Sequence, residues 1–155
     1  MTLLSTLPNL RARLEADPAL AAWFAEHYPG LPVRHLIGLR PDPDTETAVP
    51  ADYFPYLALS RLTQKKEARP SRRREWKVSI LFGLNDDRQE DGIYLGVQGI
   101  DELTELILDA LEPQPIGTDP PVVWSGEADT RNDAGTNHPY YEGEIVIPVT
   151  LQVKP

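Results

Sequence analysis

Histidine is the side chain best suited to acid–base or metal chemistry near neutral pH, and this sequence has three: His27, His35 and His138. None has a partner histidine three or four residues away, so no helical metal pair is present. His27 falls at the end of a helical pattern and His35 on a strand pattern, where capping and packing account for an imidazole without ligation. His138 stands in Asn137-His138-Pro139-Tyr140-Tyr141. A catalytic histidine activates a nucleophile and is itself oriented by a third group. This chain has no cysteine and no Gly-x-Ser-x-Gly elbow. The one enzyme reading left open is a small metal-dependent hydrolase using His138 with Asp129 or Asp133.

Carboxylates and glycines add little to that reading. The run Asp129-Thr130-Arg131-Asn132-Asp133-Ala134-Gly135 has the outline of a calcium loop, but Arg131 stands where an oxygen ligand is required and the closing glutamate is missing. It reads as a polar turn. Asp86, Asp87, Glu90 and Asp91 cluster in a segment that reads as a solvated loop. Gly92, Gly96 and Gly99 match neither a dinucleotide fingerprint nor a P-loop and read as turn residues before a helix. The expectation is no catalytic residue, no cofactor and no metal.

The informative cluster is cationic. Lys65, Lys66, Arg69, Arg72, Arg73 and Arg74 crowd into ten residues of a chain whose formal net charge is -9. No aromatic residue is interleaved, so bases have no stacking platform. An acidic balance also disfavours general binding to phosphate backbones. The bland reading is a solvated hairpin tip. The sharper one is an arm that meets an acidic surface on another subunit, because complementary charge promotes specific association. The acidic candidates are Asp42, Asp44 and Glu46 in one loop and Asp86, Asp87, Glu90 and Asp91 in another.

These groups must be positioned by a single domain, since 155 residues suit one core. No stretch of about 20 apolar residues exists to span a membrane, and the N-terminus lacks the basic region of a signal peptide. Leu7, Leu10 and Leu14 predict a helix over 6–16. Asp17-Pro18 caps a second, from 18 to about 27, with Leu20, Trp23, Phe24 and His27 on its buried stripe. Val33 to Leu39 predicts a strand, followed by an acidic, proline-rich loop to Pro50. Tyr56–Leu62 and Trp76–Leu84 predict a hairpin pair whose long basic tip occupies 64–74; Trp76, Val78, Ile80, Phe82 and Leu84 alternate on one face. Asp101 is expected to cap a helix to Leu111, with Glu102 and Glu105 in its first turn. Val122–Ala128 and Glu144–Val153 are the last two strands, with a turn-rich loop over 129–140 between them. Pro148 should face a sheet edge or bulge. The order ααβββαββ defines a two-layer α+β domain over 1–155, a mostly antiparallel or mixed sheet covered by helices, with a basic arm at about 63–75.

Several stretches together resemble a known family. They are the opening Leu7-Pro8-Asn9-Leu10 and Ala16-Asp17-Pro18-Ala19-Leu20-Ala21-Ala22-Trp23, then Arg72-Arg73-Arg74-x-Trp76 leading into a strand. The helix Leu103–Leu111, Gly126-Glu127-Ala128 and His138-Pro139-Tyr140-Tyr141 before an alternating strand complete the pattern. In this order they resemble the tail terminator proteins of long-tailed phages, of the Mu-like prophage type. The resemblance implies an α+β subunit that assembles into a homo-oligomeric ring, expected to be a hexamer. Such a ring caps the tail tube protein, ends tube polymerisation and meets the head-side connector or stopper protein. DNA passes through without specific binding, no membrane is involved, and the location is the virion, at the head-proximal end of the tail after assembly in the host cytoplasm. Another neck, connector or baseplate subunit is the nearest alternative. The resemblance carries no catalytic residue.

Overall fold

A computed structural model describes residues 6–66 and 73–152. Helix α1 (Thr6–Ala16) buries Leu10 and Leu14, and helix α2 (Pro18–His27) buries Leu20 and Phe24. The break between them is local chemistry: Asp17 is extended, its carboxylate accepts the Leu20 N–H at 2.9 Å, and Pro18 needs no donor in the first turn. Such an N-cap contributes about 1 kcal/mol. Strands β1 (Arg34–Ile37), β2 (Tyr56–Lys66) and β3 (Arg73–Asn85) follow, then a ribbon of β4 (Gln89–Glu90) and β5 (Ile93–Tyr94). Helix α3 (Leu95–Leu111), β6 (Val123–Trp124), β7 (Asp129–Asn132) and β8 (Tyr140–Gln152) complete the chain.

The main sheet runs β1-β2-β3-β8-β6, with β7 also paired to β8. β1 joins β2 in parallel, and the other pairings are antiparallel. The architecture is therefore α+β with a mixed sheet, as the pattern of elements predicts. The inner face carries Leu57, Leu59, Trp76, Val78, Ile80, Phe82, Leu84, Tyr141, Ile145, Ile147, Val149 and Leu151, all buried. The helices cover it, α3 contributing Ile100, Leu103, Ile107 and Leu111 to the same core. Each such side chain, fully buried, stabilises the fold by about 1.5–3 kcal/mol. The outer face is half covered. Val49, Tyr56 and Ala58 form a second small core there, with Leu36, Tyr53, Phe54 and Leu81 packed on it.

Several boundaries differ from the sequence reading, each for a tertiary reason. The expected strand over 33–39 shortens to Arg34–Ile37, because β1 has a neighbour on one side only and Gly38 turns away at φ 96. α3 begins at Leu95, so Asp101 lies within it and caps nothing, and Glu102 and Glu105 lie beyond its first turn. Gly96 and Gly99 belong to the helix; only Gly92 is a turn glycine, at φ 78 beside Asp91 at φ 51 in the β4–β5 turn. The expected strand over 122–128 reduces to Val123–Trp124, and the expected loop at 129–140 opens with strand β7. β8 starts at Tyr140 rather than Glu144, and β2 and β3 run into the supposed basic tip as far as Lys66 and from Arg73. Pro148 stands opposite Lys77 in the interior of β8, at a gap on the other flank: β7 reaches only Val146 and β6 only Val149. That gap is where a residue without an N–H is tolerated.

Gly96 packs directly against a side chain of the sheet. A Cβ there would overlap the ring of the fully buried Tyr141. Gly96→Ala should lower stability by about 1–3 kcal/mol through overpacking, against a helix-propensity gain of about 1 kcal/mol at most. Urea unfolding of the two proteins checks the sign.

Candidate interaction surfaces and the polar clusters behind them

The basic and acidic segments sit at opposite ends of the longest strands. β3 pairs with β8 without interruption from Arg73↔Gln152 to Asn85↔Tyr140. Thirteen residues at about 3.3 Å each make this ladder roughly 40 Å long. On the other side β3 pairs with β2 from Tyr56↔Gly83 to Lys66↔Arg74, so Lys65, Lys66, Arg73 and Arg74 belong to strands at one end. Arg69 and Arg72 lie outside the described residues. A bulge between Arg61 and Thr63 throws Leu62 out of register, leaving it half exposed beside the base of the arm.

Both acidic segments gather at the other end, joined by the connection from β7 to β8. The Asp86 N–H donates to the Pro139 carbonyl at 2.8 Å, and the Asn137 amide donates to the Glu46 carbonyl at 3.4 Å. Asp42, Asp44 and Glu46 form a turn bridged at Asp42 and Thr47. The Asp42 carboxylate accepts the Asp44 N–H at 2.9 Å, and that bond holds its carboxyl below the usual range. Asp87, Glu90 and Asp91 are exposed, as an acidic surface requires.

Asp86 does not join them. It is buried, accepting a hydrogen bond from the Tyr28 hydroxyl at 2.8 Å and two from the Arg88 guanidinium at 2.9 and 2.8 Å. Burial pushes its carboxyl up, and the bonds from Arg88 and Tyr28 outweigh that, holding it below the ordinary value. Asp86 is therefore a structural anchor tying α2 to the β3–β4 turn, which corrects its placement in an exposed acidic loop.

Glu142, which the sequence reading passed over, anchors the outer face. It stands on β8 opposite Gly83, receives the Tyr56 hydroxyl, and accepts the Ala48 N–H at 3.1 and 3.3 Å. Burial raises its carboxyl above the ordinary value, against those hydrogen bonds. The signal in the sequence was a glutamate before Gly143 at the start of an alternating strand, and it gave no hint of its partners 86 and 94 residues away.

The histidines are placed as packing residues. His138 Nδ1 lies 2.5 Å from the Tyr141 hydroxyl, and the Tyr94 ring packs on it at 5.3 Å. Asp133 is occupied in a turn, accepting the Gly135 and Thr136 N–H groups at 3.0 Å. Asp129 lies on β7 opposite Val146. His27 stacks on Trp23, and Glu102 accepts the Trp23 indole N–H at 2.7 Å. His35 lies on β1, half buried, and burial pushes its imidazole down. Among the described residues no group of three or more His, Cys, Asp or Glu is arranged to hold a metal ion. An apolar groove of about 420 Å³ lies between the first two helices and β1, lined by Leu14, Leu20, Phe24, Leu31 and Val33. No helix among the described residues is long and apolar enough to cross a membrane.

No family model matches the chain, and no curated protein does. Among the solved structures similar to this chain is one whose name states no function; it aligns over 96% of this chain and 96% of its own at 18% identity, with a TM-score of 0.42. A likeness of that size carries no argument about function.

Buried Asp86 and half-buried Glu142 respond to pH in opposite directions. The folded value of Asp86 is depressed, so its stabilisation is present above the unfolded carboxylate value and is lost as pH falls through the folded one. Arg88→Ala should cost on the order of 2 kcal/mol at neutral pH, and the deficit should shrink as acid protonates Asp86. The folded value of Glu142 is raised, so its contribution is full below the unfolded value and fades as pH rises through the folded one. Glu142→Gln should remove that slope. Denaturant midpoints of the parent and both variants, measured across the acid range, check both expectations.

Proposed function

We propose that this chain is a structural subunit of a phage tail, a terminator that assembles into a ring, caps the tail tube, ends its polymerisation and joins it to the head-side connector. The observation that carries the reading is the segregation of charge along the β3–β8 ladder. Cationic residues lie at one end, and the exposed Asp87, Glu90, Asp91, Asp44 and Glu46 lie at the other, about 40 Å away. A ring subunit at a junction needs unlike faces, one for the tube and one for the head side, and a molecule with two opposite poles supplies them. The family resemblance in the sequence supports the same reading.

In this role the arm at 65–74 docks on a neighbouring subunit or on the tube protein. The exposed carboxylates face the lumen, where they repel phosphate and let DNA pass without adhesion. Chemistry is not required of the protein. Another neck, connector or baseplate subunit would use the same physics, and its position in the assembled particle distinguishes it.

Light scattering and electron microscopy of the purified protein, alone and with tube ends, should show a closed ring, expected to hold six copies. Reversing Arg72, Arg73 and Arg74 to glutamate should abolish ring formation or capping. Intact capping by that variant removes the arm from the mechanism, and salt-dependent binding to duplex DNA removes the repelling lumen.

A further inference from the structure

Two unlike strands leave the sheet open. Among the described residues β1 closes one side and pairs only with β2; on the far side β6 and β7 each pair only with β8. The hydrogen-bond parity shows which peptide groups face outward. Arg34 N–H and Gly38 N–H bond back to the Pro55 and Leu59 carbonyls, so the alternating residues His35 and Ile37 turn their N–H and C=O away from β2. On β7 the Asp133 N–H bonds to the Glu142 carbonyl, which makes Arg131 and Asp129 the inward-bonded residues of the same series. Thr130 and Asn132 then present their peptide groups outward. Each edge is a short row of alternating donors and acceptors, the template for strand addition.

The two edges also differ in charge and surface. Arg34 and Arg40 flank β1, and Arg61 is exposed on the neighbouring strand. Around β7 stand Glu127, Asp129 and Asp133, with Arg131 on the strand and Lys77 in the cleft beside Glu127 and Asp129. Ile37, Leu39 and Leu62 are 41, 39 and 51% exposed near the first edge, and Val123 on β6, beside the second, is 50% exposed. A cationic edge with apolar residues faces away from an anionic one with its own apolar residue.

We infer that copies of this chain join by strand addition, the β1 edge of one laid along the β7 edge of the next. The partner is a second copy, because the complement of each edge in charge and in hydrogen bonding is the opposite edge of the same molecule. Two different surfaces meeting in this way form a heterologous contact, which repeats from copy to copy and closes when the rotation fits. This identifies the subunit contact of the ring proposed above and rests on that reading.

The test uses prolines that remove only an outward-facing N–H, the substitution that sheet edges tolerate. Ile37→Pro blocks the first edge and Thr130→Pro the second. Circular dichroism should show both folded, and light scattering should show each alone as a monomer. Mixed in equal amounts they should give a one-to-one dimer and nothing larger, because each retains the edge the other lacks. A charge pair covers the case in which a proline variant fails to fold. Arg40→Glu and Asp129→Lys should each weaken association by about tenfold or more, and the two together in one chain should restore it. Rings that persist in folded single-proline variants, or a charge pair that fails to restore association, overturn edge pairing and leave the ring reading intact. A parent protein that stays monomeric at every concentration, alone and on tube ends, overturns both.

Discussion

The unbroken antiparallel ladder between β3 and β8 is the constraint from which the rest of the molecule follows. Because side chains alternate along a strand, one register places Trp76, Val78, Ile80, Phe82 and Leu84 on the same face as Ile145, Ile147, Val149 and Leu151. A slip by one residue would put the two rows on opposite faces of the sheet. The same register puts Gly83 opposite Glu142 and Asn85 opposite Tyr140, so it also decides which polar groups meet at the acidic end. α3 can then approach closely enough for Gly96 to lie under Tyr141. Core, helix placement and the outer-face anchor are three consequences of a single alignment.

The ladder's length matters as much as its register. Charges held about 40 Å apart along a rigid pair of strands lie several Debye lengths from each other at physiological salt. The two groups scarcely interact with each other within one copy. The buried and half-buried polar groups behave differently. Asp86 with Arg88 and Tyr28, and Glu142 with Tyr56 and Ala48, have their partners inside the molecule and tie loops to the sheet. Local dielectric separates the two classes: a carboxylate taken from water must be hydrogen-bonded, whereas an exposed one keeps its water and its long-range field.

Much of the core was legible in the sequence because it rests on local periodicity. Asp17-Pro18 marked the helix boundary, and the strict alternation of 76–84 and of 145–151 marked the two central strands together with their buried faces. Elements with weak or misleading local signals were not legible. β7 reads Asp129-Thr130-Arg131-Asn132, a polar run with turn-forming residues, and it is a strand only because β8 offers a free flank. α3 begins six residues before the residue that looked like its cap, because packing on Leu84 and Tyr141 outweighs the poor helix propensity of Gly96 and Gly99. Of the candidate interaction residues, the exposed acids kept their expected character and Asp86 did not. Burial depends on what packs above a residue, and no neighbour in sequence reports that.

By itself the sequence determined the α+β class, the antiparallel pairing of the second and third strands, the buried face of the alternating residues in 76–84 and 145–151, and the crowding of cations into one segment of an acidic chain. These follow from composition and from periods of two and 3.6 residues, which are properties of adjacent positions. Only the tertiary structure decided that the basic and acidic segments lie at opposite ends, that Asp86 and Glu142 are internal anchors, and that β1 lies at one edge of the sheet and β6 and β7 at the other. Each of those facts involves a contact between residues tens of positions apart, such as Tyr28 with Asp86 and Tyr56 with Glu142. Strand hydrogen bonds are made between backbones whose chemistry is nearly the same at every residue, so the choice of partner belongs to the whole fold.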